Sequence, residues 1–326
     1  MSIVIKKYDQ SDNKIWDDFV KSSSNGTIFH LRSFLSYHID RNFKDHSLIF
    51  KKSKSILAIF PAAKININNK NILYSHPGAS YGGFVYDEIS YEDADEMVKL
   101  MDKYCLDHFF HKIFLIPTPI IYDSKTNETI NYLLHWNKYE IVEYYISSII
   151  QINKNKKSLS YLNKRKKRYI QNYISNKDLT IKKSNNYHEF YPILLKNKQK
   201  HNVTPTHSLE ELIKLNELFP GKLTLLLLYH SKTIIGGTLN IVANENCGIV
   251  FYNMINSEFQ EFQPASIQLY ESIDWAKKSN LKFLDLGVSQ LPNSKNPLTP
   301  HKTLIYFKEQ FGATAVIRKA FQKILK

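Results

Sequence analysis

Cysteine is nearly absent from this chain. Cys105 and Cys247 are its whole supply, which excludes a disulfide framework. Neither lies in a C-x-x-C or Cys/His ligand spacing, so no metal site is expected. Glycine is also scarce, and no G-x-x-x-x-G-K-[ST] phosphate loop occurs. No apolar run is long enough to span a bilayer, and Met1-Ser2-Ile3-Val4-Ile5-Lys6 lacks the long apolar core of a signal peptide. The chain is therefore expected in a reducing cytoplasm, with no stable membrane insertion. No Ser/His/Asp or Cys/His nucleophilic set stands out, which fits group transfer without a covalent enzyme intermediate.

What is present is a foldable and strongly basic sequence. At 326 residues and 43% hydrophobic it is long enough for about two domains and too apolar for a disordered chain. The 44 Lys and Arg outnumber the 30 Asp and Glu, for a net charge of +14. Such an excess favours anionic partners, although a Lys-, Asn- and Ile-rich composition also arises from biased codon usage.

A weak internal repeat sets the architecture. His46 to Phe50, the turn Lys51 to Lys54 and Ser55 to Ala63 read as a hairpin, as do Leu223 to Tyr229, the turn His230 to Lys232 and Thr233 to Ala243. Each hairpin leads to a further strand (Asn71 to Ser75, Gly248 to Met254), a polar loop, a helix (about 91–110 and 265–278) and another strand (Lys112 to Ile116, Leu281 to Leu286). Two such copies predict an α+β protein of two tandem domains, each a mixed, mostly antiparallel sheet flanked by helices. The polar stretch Asn153 to Lys157 places the boundary near residue 152, giving domains 1–152 and 153–326. A basic bridging helix follows at about 158–175, with Ser158 as its expected N-cap and Lys164-Arg165-Lys166-Lys167-Arg168 as a solvated face.

The order of short motifs in the second half resembles the Fem-type branch of the GNAT acyltransferases. These motifs are the basic helix, the aromatic helix start Glu189-Phe190-Tyr191 and the small-residue strand Ile235-Gly236-Gly237-Thr238-Leu239. The strand-end Asp285-Leu286-Gly287-Val288-Ser289 and the closing Phe307-Lys308-Glu309-Gln310-Phe311-Gly312 complete the set. In the first half, Tyr81-Gly82-Gly83-Phe84 looks like the family's loop after the third strand. The resemblance implies tandem GNAT-like domains and acyl transfer to an amine. It also implies a pantetheine arm lying between two splayed strands, with its pyrophosphate at the N-terminus of the following helix. Gln263, Ala265 and Ser266 would then meet the cofactor. The segment Gln263-Pro264-Ala265 departs from the usual Q/R-x-x-G-x-G/A loop, and Pro264 also reads as an ordinary first helical residue.

Asp285 and Lys308, from the motifs of the resemblance, and His30, from its residue type, are the catalytic candidates. Asp285 would hold an amine or orient a hydroxyl, an Asx-turn being the other reading. His30 is a candidate base near neutral pH, and Lys308, between Phe307 and Phe311, would meet a phosphate or the transition state. His76, Tyr81, Gly82, Tyr252, Asn253, Ser289 and Lys302 are candidates for the acceptor site. His201 and His207, flanking Thr204-Pro205, are placed to reach a cleft.

Three functions fit these residues. The first moves an acyl group from acyl-CoA to the amine of a nucleotide-linked amino sugar in surface polysaccharide biosynthesis. The second is aminoacyl-tRNA-dependent extension of a peptidoglycan peptide, and the third is non-catalytic binding of an anion or nucleic acid.

Overall fold

The computed structural model describes residues 2–200, 203–291 and 294–326. The chain divides into two compact units. Unit 1 comprises residues 1–146, 290–299 and 316–326; unit 2 comprises residues 147–289 and 300–315. A linear cut at residue 152 has no counterpart for the two late segments that rejoin unit 1.

Unit 1 contains strands β1 (Ile3–Lys7), β2 (Lys44–Asp45), β3 (Leu48–Lys52), β4 (Ser55–Phe60), β5 (Ala63–Ile67), β6 (Lys70–Ser75), β7 (Val85–Tyr86) and β8 (Lys112–Leu115). It also holds the first part of β9 (Glu140–Gln151) and helices α1 (Asn13–Ser22), α2 (Arg32–Leu35), α3 (Tyr91–Asp107) and α4 (Thr129–Trp136). One sheet runs in the order β1-β3-β4-β7; in a second, β8-β6-β5-β2 are neighbours. The expected first hairpin is β3–β4, turning through Ser53 at φ 59°. The run read as one returning strand from Ser55 to Ala63 breaks at Pro61, and β5 starts in the other sheet. Proline lacks the N–H that a continuous ladder needs.

Helix α3 explains why this unit has a core. Ala94, Met97, Val98, Met101 and Cys105 repeat at helical spacing, all are buried, and they pack with Leu48, Phe50, Phe60, Leu73 and Ile113. Ser90 caps the helix by accepting the Asp93 N–H at 3.1 Å, and Glu92 and Asp93 sit favourably at the positive end of its dipole. Cys105 is therefore a small apolar core residue.

Unit 2 holds the rest of β9, then α5 (Lys164–Ser175), β10 (Leu179–Ser184), α6 (Tyr187–Gln199), α7 (Leu209–Leu218), β11 (Leu223–His230), β12 (Thr233–Val242), β13 (Cys247–Ile255), α8 (Pro264–Lys278), β14 (Phe283–Val288), α9 (Lys302–Glu309) and the start of β15 (Thr314–Ile324). The last part of β15, in unit 1, pairs antiparallel with β8. The sheet of unit 2 runs β10-β11-β12-β13-β14-β9. Only β13 and β14 within it are parallel, as a helical crossover requires. Ile267, Ile273 and Ala276 of α8 bury one face against Ile150, Leu228, Ile235 and Leu284.

The basic helix starts later than expected. Ser158 opens a separate turn, Ser158–Tyr161, and its hydroxyl donates to Asp274. Asn163 is the N-cap of α5, accepting the Lys166 N–H at 2.9 Å. Both residue types cap well, and Leu162 decides between them by being buried just before the helix. Among the described residues no helix is long and apolar enough to cross a membrane.

Candidate functional site

The two strands that flank α8 part company. β13 and β14 pair only at Cys247–Phe283, Gly248–Leu284 and Ile249–Asp285, whereas β13 continues to Ile255 and β14 to Val288. Past Asp285, β14 keeps company with β9, reaching Val288–Ser147 after a break in register. Beyond Ile249, no strand among the described residues pairs with the edge of β13 that faces β14. Helix α8 begins at this open end: Asn253 donates its side-chain amide to Ala265 O at 3.3 Å, and Gln268 donates to Gly237 O and Met254 O and to the Asn253 side chain.

Lys308, in the last turn of α9, sits on the other side of this opening. Its Nζ donates to Gly287 O at 2.7 Å, Val288 O at 3.3 Å and Ser289 Oγ at 2.8 Å. The residue is 6% exposed, and burial pulls its pKa from the usual lysine value to about 8, against the opposing pull of Asp285. Lys308 thus holds a charge near neutral pH with two carbonyls and a hydroxyl as hydrogen-bond partners. Asp285 explains how these oxygens are aimed. Fully buried, it accepts from Ser147 Oγ at 2.7 Å and from Gly287 N at 2.8 Å, an Asx-turn that fixes Gly287 at φ 74°. Both bonds fall on Oδ1 of Asp285, which so fixes the end of β14 from which Lys308 takes its partners. Ser289 is completely buried; its Oγ accepts from Lys308 and its carbonyl accepts from His301 N. Lys302, at the first turn of α9, is exposed and stands apart from this cluster.

The first turn of α8 is less open to phosphate than the family's loop implies. Gln263 adopts φ 55° as N-cap without a side-chain capping bond, and Pro264 has no N–H to offer. The Ser266 and Ile267 N–H groups both bond to Gln263 O, at 2.9 and 3.2 Å. Ala265 is the first-turn amide left over. In place of a nest of amides there is a side-chain cation: Lys166 of α5 reaches Ser266 Oγ at 2.8 Å and lies 4.8 Å from the Phe307 ring centroid. It is 5% exposed, and burial lowers its pKa. Reading Lys164 to Arg168 as a uniformly solvated face missed this residue. Its position three residues before Tyr169 and four before Ile170, both read as apolar, was the available signal.

Tyr252 turns toward helices α6 and α7, and its hydroxyl pairs with His207 Nδ1 at 2.8 Å. His201 lies outside the described residues.

The remaining candidates belong to unit 1. His30 is completely buried, its Nδ1 meets Thr27 N at 3.1 Å, and burial drives its pKa down to about 3, opposed by the Gly82 backbone. Desolvation moves this ring away from titration near neutral pH. His76 is likewise buried, with its pKa lowered to about 3. Gly82 fills a structural need: a Cβ there would lie 2.5 Å from Ser75 O, while Gly83 N donates to Ser75 Oγ. Tyr81 packs edge-on against Phe29. His76 also lines a cleft of about 500 Å³ with Tyr8, Arg32, His38, Arg41 and Phe43. Arg32 lies 3.7 Å above the Tyr8 ring and is paired with Asp45, and Arg41 meets His38.

No family model and no curated protein sequence matches the chain. Solved structures do. A crystal structure of FemX aligns over 98% of this chain and 97% of its own, with a TM-score of 0.73 at 13% identity. A tandem GNAT protein from the clavulanic acid biosynthesis pathway aligns over 100% and 99%, with a TM-score of 0.60 at 5% identity. L-PGS from Bacillus licheniformis aligns over 96% and 91%, with a TM-score of 0.57 at 10% identity. These likenesses establish that the chain has the Fem-type tandem GNAT fold.

Proposed function

We propose that this protein is an N-acyltransferase that moves an acyl group from acyl-CoA to the amine of a nucleotide-linked amino sugar, in surface polysaccharide biosynthesis. The observation that carries the reading is the Lys308 ammonium beside the gap between β13 and β14. An extended donor arm fits along this edge of β13, because no strand among the described residues pairs with its backbone groups there. The amine attacks the thioester carbonyl; as the C–N bond forms, the carbonyl oxygen becomes an oxyanion. Lys308, whose three N–H groups are already held by Gly287 O, Val288 O and Ser289 Oγ, stabilises that oxygen through its charge, which burial makes more effective. Collapse expels the thiolate, and the amine's proton leaves with it to give amide and thiol. Lys166, together with the exposed cations Lys164, Arg165 and Arg168 of α5, supplies the charge for donor phosphates that a glycine-lined loop would otherwise meet. The net charge of +14 favours an acceptor that carries phosphates.

A second reading, aminoacyl-tRNA-dependent transfer to a peptidoglycan peptide, is favoured by one specific feature: the first turn of α8 offers so few free amides to a pyrophosphate. A thermal-shift series with coenzyme A, nucleotide sugars and tRNA separates the two. Stabilisation by coenzyme A and a nucleotide sugar supports the first, and stabilisation by tRNA without coenzyme A supports the second. A response only to generic polyanions, lost in salt, overturns both.

A further inference from the structure

One end of unit 1 exposes large apolar side chains among unpaired lysines. Phe109 is 85% exposed, Trp136 60%, Ile67 52% and Ile324 46%. Hydrogen bonds show that these positions share an end. Phe109 O accepts from the side chain of Asn71, next to the β5–β6 turn that carries Ile67 and Lys70. Lys323, beside Ile324, donates both to Asp102 of α3 and to Asn137 O just past Trp136.

Phe109 is the residue that most needs explaining. It follows α3 at φ 58°, with Phe109 N bonded to Leu106 O and Phe110 N to Cys105 O, the position where helices ordinarily end on glycine. A phenylalanine there costs backbone energy that glycine avoids and recovers almost none of it by burial in its own chain. Trp136 stacks on Tyr132, which is itself exposed, so that ring pair also faces outward. Lys70, Lys103 and Lys138 are exposed around these side chains, and Lys112 is half-buried at the same end. None of the four has a carboxylate partner among the described ion pairs, although Lys103 shares a surface with Glu92, Asp95 and Glu96 further back along α3.

We propose that this end of unit 1 docks peripherally on an anionic lipid surface. Phe109, Trp136 and Ile67 enter the interfacial region, and the lysines meet lipid phosphates. Aromatic rings suit the headgroup layer because it is apolar on one side and wet on the other, and nearby lysines add an attraction that salt screens. Charge decides the occupant: lysines without an ion-pair partner around exposed rings fit an anionic sheet. The inference does not depend on which acyl donor or acceptor the protein uses.

The test is co-sedimentation of the full chain with phosphatidylcholine vesicles with and without phosphatidylglycerol, alongside Trp136 fluorescence. Binding is expected only to the vesicles containing phosphatidylglycerol, weakened by salt and accompanied by a blue shift. The pair F109G and W136S should each weaken it about tenfold. F109G should keep or raise the melting temperature, so its loss of binding is not a loss of fold. K70E with K138E should act on anionic vesicles alone. Absence of vesicle binding, equal binding to neutral vesicles, or binding untouched by these variants overturns the proposal. So does self-association that F109G abolishes in the absence of lipid, which would make the face a protein interface.

Discussion

Replacing Lys308 with methionine separates its chemical role from its structural one, because the two respond differently to pH. A lysine whose pKa falls from 10.5 to about 8 carries a folding cost of about 3 kcal/mol while protonated. Below about pH 8 both folded and unfolded chains hold the proton, and the native state bears that cost in full. Between about 8 and 10.5 the native state releases its proton while the unfolded chain keeps it, so stability rises with pH. The K308M variant has no such rise. At neutral pH it escapes the desolvation cost but strands Ser289 Oγ and the carbonyls of Gly287 and Val288, each about 1–3 kcal/mol when buried without a donor. The two effects oppose each other, so K308M is expected to fold. The stability advantage of wild type over K308M, from urea denaturation at several pH values, should grow by about 3 kcal/mol across that window. Turnover should fall about 10²-fold or more, as expected when a preorganised charge that stabilises the oxyanion is removed. Wild-type kcat should decline as pH rises through about 8, where the ammonium is lost. Turnover of K308M within about threefold of wild type, or a wild-type kcat that increases through that pKa, refutes the assignment.

Asp285→Asn keeps an oxygen for Gly287 N and Ser147 Oγ but removes the charge that supports Lys308 protonation; the alkaline limb of kcat should move to lower pH, and Asp285→Ala should in addition cost about 2–4 kcal/mol in denaturation. Lys166→Met removes the cation beside Ser266 without stranding a buried anion; the KM for the donor should rise about tenfold with kcat little changed, as steady-state kinetics will show. Gly82→Ala drives a Cβ against the Ser75 backbone; a loss of about 3 kcal/mol or more is expected, measurable as a lower melting temperature even without substrate.

What the sequence made legible was whatever local period or turn chemistry dictates. The β3–β4 and β11–β12 hairpins, helices α3 and α8 and the strand that carries Asp285 all follow from alternation, helical spacing or a turn residue, and the structure has them. The order of short motifs also pointed to the tandem fold that FemX shares over nearly its whole length. The site was legible in part, and the division follows a physical line. Lys308 and Ser289 meet although nineteen residues separate them, because α9 folds back on the end of β14; the motif order hinted at it, but no spacing rule contains it. Asp285 looked chemical and is held by Ser147, a residue 138 positions away on β9. His30 looked titratable, and only burial, a property of the whole fold, removes it from the neutral range. Lys166 went the other way, lost in a basic run whose members look alike until one of them is enclosed by Phe307, Phe311 and the start of α8. Charge and nucleophilicity can be read from a residue's type, but the pKa and partner that make it useful come from packing. Lys166 and Lys308 show the consequence: among 44 Lys and Arg, these two stand out because the fold has buried them beside one strand gap.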